Sequence, residues 1–189
     1  MSFDSMVKGS SSPVVAPIVT ARLELVAILP EAVLSEQAND GRLGEILGCR
    51  VTAEWPPNDW EPHVLVWLLN QFAEDAARVR WFRYIVLRED DGRRVLIGTV
   101  GAVPEFGYGV LPAFERRGYA TEAALAMVAF AEATGEVSEL VAHTFPELEA
   151  SVRILTRCGF VLEGKEERTL RYRRVVVPGP GLKPDSEMG

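Results

Sequence analysis

Short apolar segments alternate with turn residues over most of the chain. Ile18 to Val26 (IVTARLELV) alternates apolar and polar through Leu23 and Leu25, which predicts a strand. Pro30 to Leu47 has a helical pattern through Val33, Leu34, Ile46 and Leu47, weakened in the middle by Gly41 and Gly44. The prolines of Glu54 to Trp60 predict a loop. Glu61 to Arg78 suits a helix with Val64, Leu65, Leu68, Leu69 and Phe72 on one side. Trp81 to Arg88 and Val95 to Val103 read as two strands of a hairpin around Asp90-Asp91-Gly92. Pro104-Glu105 allows another reversal into a strand from Phe106 to Leu111. Gly118 to Ala133 is an alanine-rich helix stopped by Gly135. Glu139 to Thr144 is a strand, Pro146 to Arg157 a helix ended by Gly159, and Phe160 to Leu162 and Thr169 to Val177 are strands. Antiparallel strands feeding a β–loop–α–β unit imply a mixed α/β sheet with helices on both faces.

The prolines and serines at either end predict tails at residues 1–16 and 178–189, leaving one domain at 17–177. The chain carries 20 basic and 27 acidic residues, a formal charge of −7, which argues against a nucleic-acid binder. Two cysteines and two histidines are too few for a disulfide scaffold or a Cys/His metal site, so no metal is expected. Cys158, among apolar residues, is expected to be a buried thiol. The longest apolar run, Ala123 to Ala131, is far short of the ~18 residues of a membrane span. No signal peptide is evident, and a reduced, cytoplasmic protein without membrane partners is the expectation.

Candidate chemistry concentrates in Gly107 to Glu122 (GYGVLPAFERRGYATE), where a strand meets a helix through a short basic loop. The first N–H groups of a helix lack internal partners and carry the positive end of its dipole. Gly118 and Ala120 leave the backbone approachable, and Arg116 and Arg117 add charge. These residues fit a phosphate or pyrophosphate cradle. An ordinary strand–helix turn with a solvated arginine pair is the alternative. The loop lacks the Gly-Lys-Ser/Thr of a P-loop and the GxGxxG of a dinucleotide fold.

Val110-x-Pro112 followed by Arg116-Arg117-Gly118-Tyr119-Ala120-Thr121-Glu122-Ala123 resembles motif A of the GNAT acetyltransferases. Three further segments agree in order: Thr20 to Leu25, Ile97 to Val100, and Pro146 to Phe160. Their wording resembles the RimJ/RimL-like branch, the ribosomal-protein N-terminal acetyltransferases, over residues 20–163. The resemblance implies a GNAT-like fold, a mostly antiparallel central sheet with two splayed parallel strands and helices on both faces. It implies an acetyl-CoA-dependent N-acetyltransferase acting by direct attack in a ternary complex. Acetyl-CoA would lie on the backbone of Val110 and Leu111, with its pyrophosphate on Arg116, Arg117, Gly118, Tyr119, Ala120 and Thr121. Glu105 matches the branch's Glu at the start of the splayed strand and is the candidate base, with a solvated turn glutamate as the alternative. Ser151 matches the branch's helix serine and is the candidate hydrogen-bond donor to the thiolate, with backbone capping as the alternative.

Three positions depart from the family pattern. Leu148 replaces an asparagine, Glu115 begins the phosphate loop, and Leu155 stands where many members have a tyrosine. The acceptor is expected to be a small-molecule or peptide amine. Trp55 and Trp60, with Glu54, Asp59 and His63 nearby, could surround a cation, or could simply cap the core. His143 is expected to be structural. A monomer or homodimer fits, with the last strand, Arg171 to Val177, as a potential pairing edge. Two other readings stay open, a non-catalytic acyl-CoA-binding module and a plain anion-binding interaction protein.

Overall fold

A computed structural model of the chain describes residues 15–57 and 60–179. The expected tails at 1–16 and 178–189 lie outside the described residues apart from 15–16 and 178–179, and Asp59 lies outside them as well. In chain order the strands are β1 Ile18–Val19, β2 Leu23–Ala27, β3 Phe82–Arg88, β4 Arg94–Gly101, β5 Gly107–Val110, β6 Glu139–Thr144, β7 Val161–Glu166 and β8 Thr169–Val175. The helices are α1 Pro30–Ala38, α2 Leu43–Leu47, α3 Pro62–Glu74, α4 Tyr119–Thr134 and α5 Glu149–Arg157, with 3₁₀ turns at Ala76–Trp81 and Pro112–Phe114.

β1 to β5 form one antiparallel sheet in sequence order, and β6, β8 and β7 form a second in that spatial order. The two meet where the Phe106 N–H donates to the Val141 carbonyl at 2.7 Å. This is the mixed α/β architecture that the alternating elements predict, with β5 and β6 at its centre. β3 shows why the core lies in the first sheet. Successive side chains of a strand point to opposite faces. Phe82 meets Trp67 and Phe72 of α3, Arg83 lies over Phe130 of α4, and Tyr84 meets Trp55 and Glu36. Both faces are therefore covered, and Phe82 to Leu87 is buried throughout.

Several boundaries differ from expectation. The stretch 18–26 is not one strand but a small hairpin, β1–β2. It reverses at Thr20, whose N–H donates to the Leu23 carbonyl at 2.9 Å and whose hydroxyl accepts from the Leu23 N–H at 3.0 Å. The helix expected at 30–47 breaks into α1 and α2, because Asn39 and Gly41 adopt positive φ, 48° and 76°. The helix from 61 stops at Glu74, where the Asp75 side chain accepts from the Ala77 N–H and starts the 3₁₀ turn. α5 begins only at Glu149. β8 is not the expected edge, since it lies between β6 and β7, and β7 is the exposed one. Among the described residues no helix is long and apolar enough to cross a membrane, and no group of three or more His, Cys, Asp or Glu could hold a metal.

Candidate active site

In an antiparallel ladder, residues alternate between facing the partner strand and facing away with their backbone groups. The Leu111 N–H donates to Ile97 of β4 at 2.8 Å, and its carbonyl accepts from Phe114 at 2.8 Å. By the β4–β5 register, Gly109 and Gly107 face β4 as Leu111 does, while Val110 and Tyr108 turn their backbone groups away. Phe106 follows the same parity, and its N–H already bonds β6. Beyond it opens a cleft of about 780 Å³. One wall is Tyr108, Gly109 and Val110, and the other is Leu148, Ala150, Ser151 and Ile154 from the start of α5. Of the two backbone positions expected to hold a cofactor arm, Val110 lines this cleft. Leu111 does not, since its backbone is engaged on both sides and its side chain is fully buried.

The end of the cleft is the start of α4. Gly118 precedes the helix at φ 81°, a conformation that favours glycine. Among the described residues no side chain caps α4, so the N–H groups of Tyr119, Ala120 and Thr121 have no capping partner there. Arg116, itself at φ 60°, lines the cleft with Gly118, Tyr119, Ala120 and Thr121. Arg117 does not line it, and contributes its carbonyl to the Arg22 guanidinium at 3.0 Å. Glu115 brings one carboxylate to the lining. Arg153 and Arg157, four residues apart on α5, line the opposite side, the Arg153 guanidinium lying 3.2 Å from the Glu149 carboxylate. Neither was anticipated, although the (i, i+4) spacing of two arginines on an amphipathic helix was there to be read.

The first turn of α4 is held from the far end of the chain. The Glu122 carboxylate accepts from the Thr20 hydroxyl, from the Arg22 N–H at 2.9 Å and from Arg22 Nε at 2.8 Å. Burial alone would raise the Glu122 pKa, but these bonds and the Arg22 charge outweigh it and hold the pKa below its ordinary value. The Arg22 guanidinium also lies 4.5 Å from the centre of the Tyr119 ring.

Where the two strands part, Tyr108 reaches across to α5. Its hydroxyl lies 3.2 Å from both the Oγ and the carbonyl oxygen of Ser151. Burial pushes the Tyr108 phenol up to about 12, with the Ser151 hydrogen bond acting in the opposite direction. Tyr108 is the functional candidate that sequence reasoning left without a role.

Glu105 stands just before β5, about half exposed, with its Oε1 2.9 Å from His143 Nδ1. His143 Nε2 lies 3.3 Å from Glu166 Oε2. The histidine expected to be structural is thus in contact with the candidate base. Trp55 and Trp60 turn away from a cation role. Both indole N–H groups donate to Glu36 Oε2 at 2.9 Å, and the Tyr84 hydroxyl donates to the same carboxylate. Burial raises the Glu36 pKa in spite of the three donors. Trp60 also lines a second, smaller pocket with Glu105 and Tyr108.

Comparison with known proteins places the chain in a family. Residues 38–161 match the family described as the acetyltransferase (GNAT) domain. An uncharacterised N-acetyltransferase of Bacillus subtilis, YoaA, is 30% identical over 105 residues, 51% of this chain and 58% of that protein. The match therefore spans little more than half of that relative's length. The ribosomal-protein-S5-alanine acetyltransferase of Vibrio fischeri superposes with a TM-score of 0.58 at 18% identity, over 90% of this chain and 100% of the other. The ribosomal L7/L12 alpha-N-protein acetyltransferase RimL, solved with coenzyme A, gives 0.56 at 16% identity, over 86% and 99%. At these identities the two structures establish a shared fold.

Proposed function

Since the chain belongs to the GNAT acetyltransferase family, we propose that it transfers an acetyl group from acetyl-CoA to a primary amine. One observation carries the proposal. The uncapped start of α4 lies at the end of a cleft whose wall is the outward-facing backbone of Tyr108 and Val110. The N–H groups of Tyr119, Ala120 and Thr121 would receive the pyrophosphate, as a helix N-terminus does for anions. Arg116, Arg153 and Arg157 add positive charge around it and offset Glu115. Val110 offers an unpaired N–H and C=O to an extended amide-bearing arm, as one strand does to the next.

Bound acetyl-CoA supplies a thioester whose C–S bond breaks as the acetyl carbon joins the amine nitrogen. Glu105 takes the proton that the amine must lose, directly or through water. Ser151 and Tyr108 donate to the departing sulfur through their adjacent hydroxyl groups. Residues 17–177 form the catalytic unit, and the acceptor is a small amine or a peptide N-terminus.

A second reading, acyl-CoA binding without turnover, rests on Leu148, which presents a half-exposed apolar side chain to the cleft. A thermal-shift titration with acetyl-CoA, with ATP as control, tests the cradle. Ligand at ~100 times its dissociation constant stabilises by about 2.7 kcal/mol, a rise of about 5–10 °C for this size. A rise with acetyl-CoA, none with ATP, and thiol release with amines support transfer. A rise without thiol release from any amine supports the second reading, and no rise at millimolar acetyl-CoA refutes both.

A further inference from the structure

The second pocket, of about 230 Å³, adjoins the acetyl-CoA cleft along β5 and shares Tyr108, Gly109 and Pro57 with it. Its floor is a strip of β4 and β5 in which three of the four facing residues are glycine. Cross-strand partners share a face, and here Gly101 pairs with Gly107 and Thr99 with Gly109. A Cβ added at Gly107 or Gly109 meets no atom within 4 Å. Above this floor stand Val64, Trp67 and Leu68 of α3, with Trp60 from the preceding loop. The loop is anchored from behind by the Trp55 and Trp60 bonds to Glu36. Among the described residues the lining is almost wholly apolar, and its one carboxylate is Glu105.

We infer that this pocket holds an apolar substituent of the acceptor, and that the acceptor is an ammonium carrying one aromatic ring or branched aliphatic group close to the nitrogen. The inference rests on the acetyl-transfer reading, because it uses Glu105 and the shared Tyr108–Gly109 edge to bring nitrogen and thioester together. The ammonium meets Glu105 at the rim, and the apolar group covers the glycine floor beneath Trp67. A second positive charge on the acceptor would lose water against the tryptophan and leucine side chains of the lining. Polyamines are therefore poor ligands. A free arylalkylamine and a peptide with an apolar first residue share the required chemistry.

The test uses 2-phenylethylamine, 3-methylbutylamine, the dipeptide amides Leu-Ala and Asp-Ala, and spermidine, first without acetyl-CoA. Binding is followed by tryptophan fluorescence, since Trp60 and Trp67 line the pocket. The first two amines and Leu-Ala should bind about 10- to 100-fold more tightly than spermidine or Asp-Ala, the range expected for burying one large apolar side chain. A preference for Leu-Ala over the free amines would identify a peptide as the source. Gly107→Val should abolish the preference and leave the acetyl-CoA thermal shift intact, with Gly107→Ala as the smaller intrusion should the valine variant not fold. Equal or tighter binding of spermidine overturns the inference, as does an unchanged preference in the folded variant. Apolar amine binding lost in Gly107→Val, without any acetyl-CoA shift, would keep the pocket and refute acetyl transfer. Turnover confined to polar amines would do the reverse.

Discussion

The Tyr108 hydroxyl and the Ser151 Oγ lie 3.2 Å apart across the gap between β5 and α5. One comes from a strand and the other from the first turn of a helix, 43 residues later. Together they put two hydroxyl groups where a sulfur would lie against Val110. Tyr108→Phe should lower kcat by about 10-fold or more at neutral pH and leave the acetyl-CoA KM within about twofold. Ser151→Ala should act the same way, and the double variant should lose less than the product of the two, because the hydroxyls act on one atom. Steady-state kinetics on the three proteins checks this.

Glu105 and His143 make a second test. Glu105→Gln should lower turnover at pH 7 by about 10²–10⁴-fold, the usual worth of a general base, without weakening acetyl-CoA binding. His143→Gln, which removes the imidazole 2.9 Å from Glu105 Oε1 and keeps the carboxylate, should reduce turnover less. Unchanged turnover in Glu105→Gln would remove that residue from proton transfer.

The Glu122 tie to the β1–β2 hairpin predicts an acid-sensitive contribution to stability. A carboxylate whose folded pKa is depressed contributes stability above its unfolded value and loses it as pH falls through the folded one. The thermal midpoint of the wild type should therefore exceed that of Glu122→Gln by a constant margin above about pH 5. The margin should shrink as pH falls below the unfolded value of 4.5. Midpoints measured between pH 3 and 8 would reveal a margin that does not shrink.

Gly98 is a packing requirement. A Cβ there would sit 2.1 Å from the Gly109 carbonyl oxygen, on backbone that cannot rotate away. Gly98→Ala should cost about 3 kcal/mol or more, a fall of about 6–12 °C in thermal midpoint. Gly107→Ala, which meets open space, should cost less than 1 kcal/mol by the same measurement.

The strands and helices that sequence reading could place were those with one periodic face. β6 was read to the residue, because its alternation is clean and Pro146 soon follows. The hairpin at 18–27 was not, because Thr20 reverses the chain with bonds to Leu23 and Glu122 that leave the apolar–polar alternation undisturbed. The uncapped start of α4 was legible because glycine and charge coincide within a few residues where a strand meets a helix. Arg153, Arg157 and Tyr108 join the site from elements whose mutual approach is a tertiary fact. Leu111 was misread for a related reason: which backbone groups a strand turns outward depends on register, and composition does not encode register.

Trp55, Trp60 and Tyr84 come from two separate segments and all end on the one carboxylate of Glu36. That convergence limits how such a protein can change its diet over evolutionary time. Replacing either tryptophan to reshape the wall leaves a half-buried acid short of a donor, and replacing Glu36 leaves three aromatic donors stranded together. Single-step exploration of new wall shapes is thereby penalised, and a lineage that acquires a different acceptor should have altered the acid and its aromatic partners as a set.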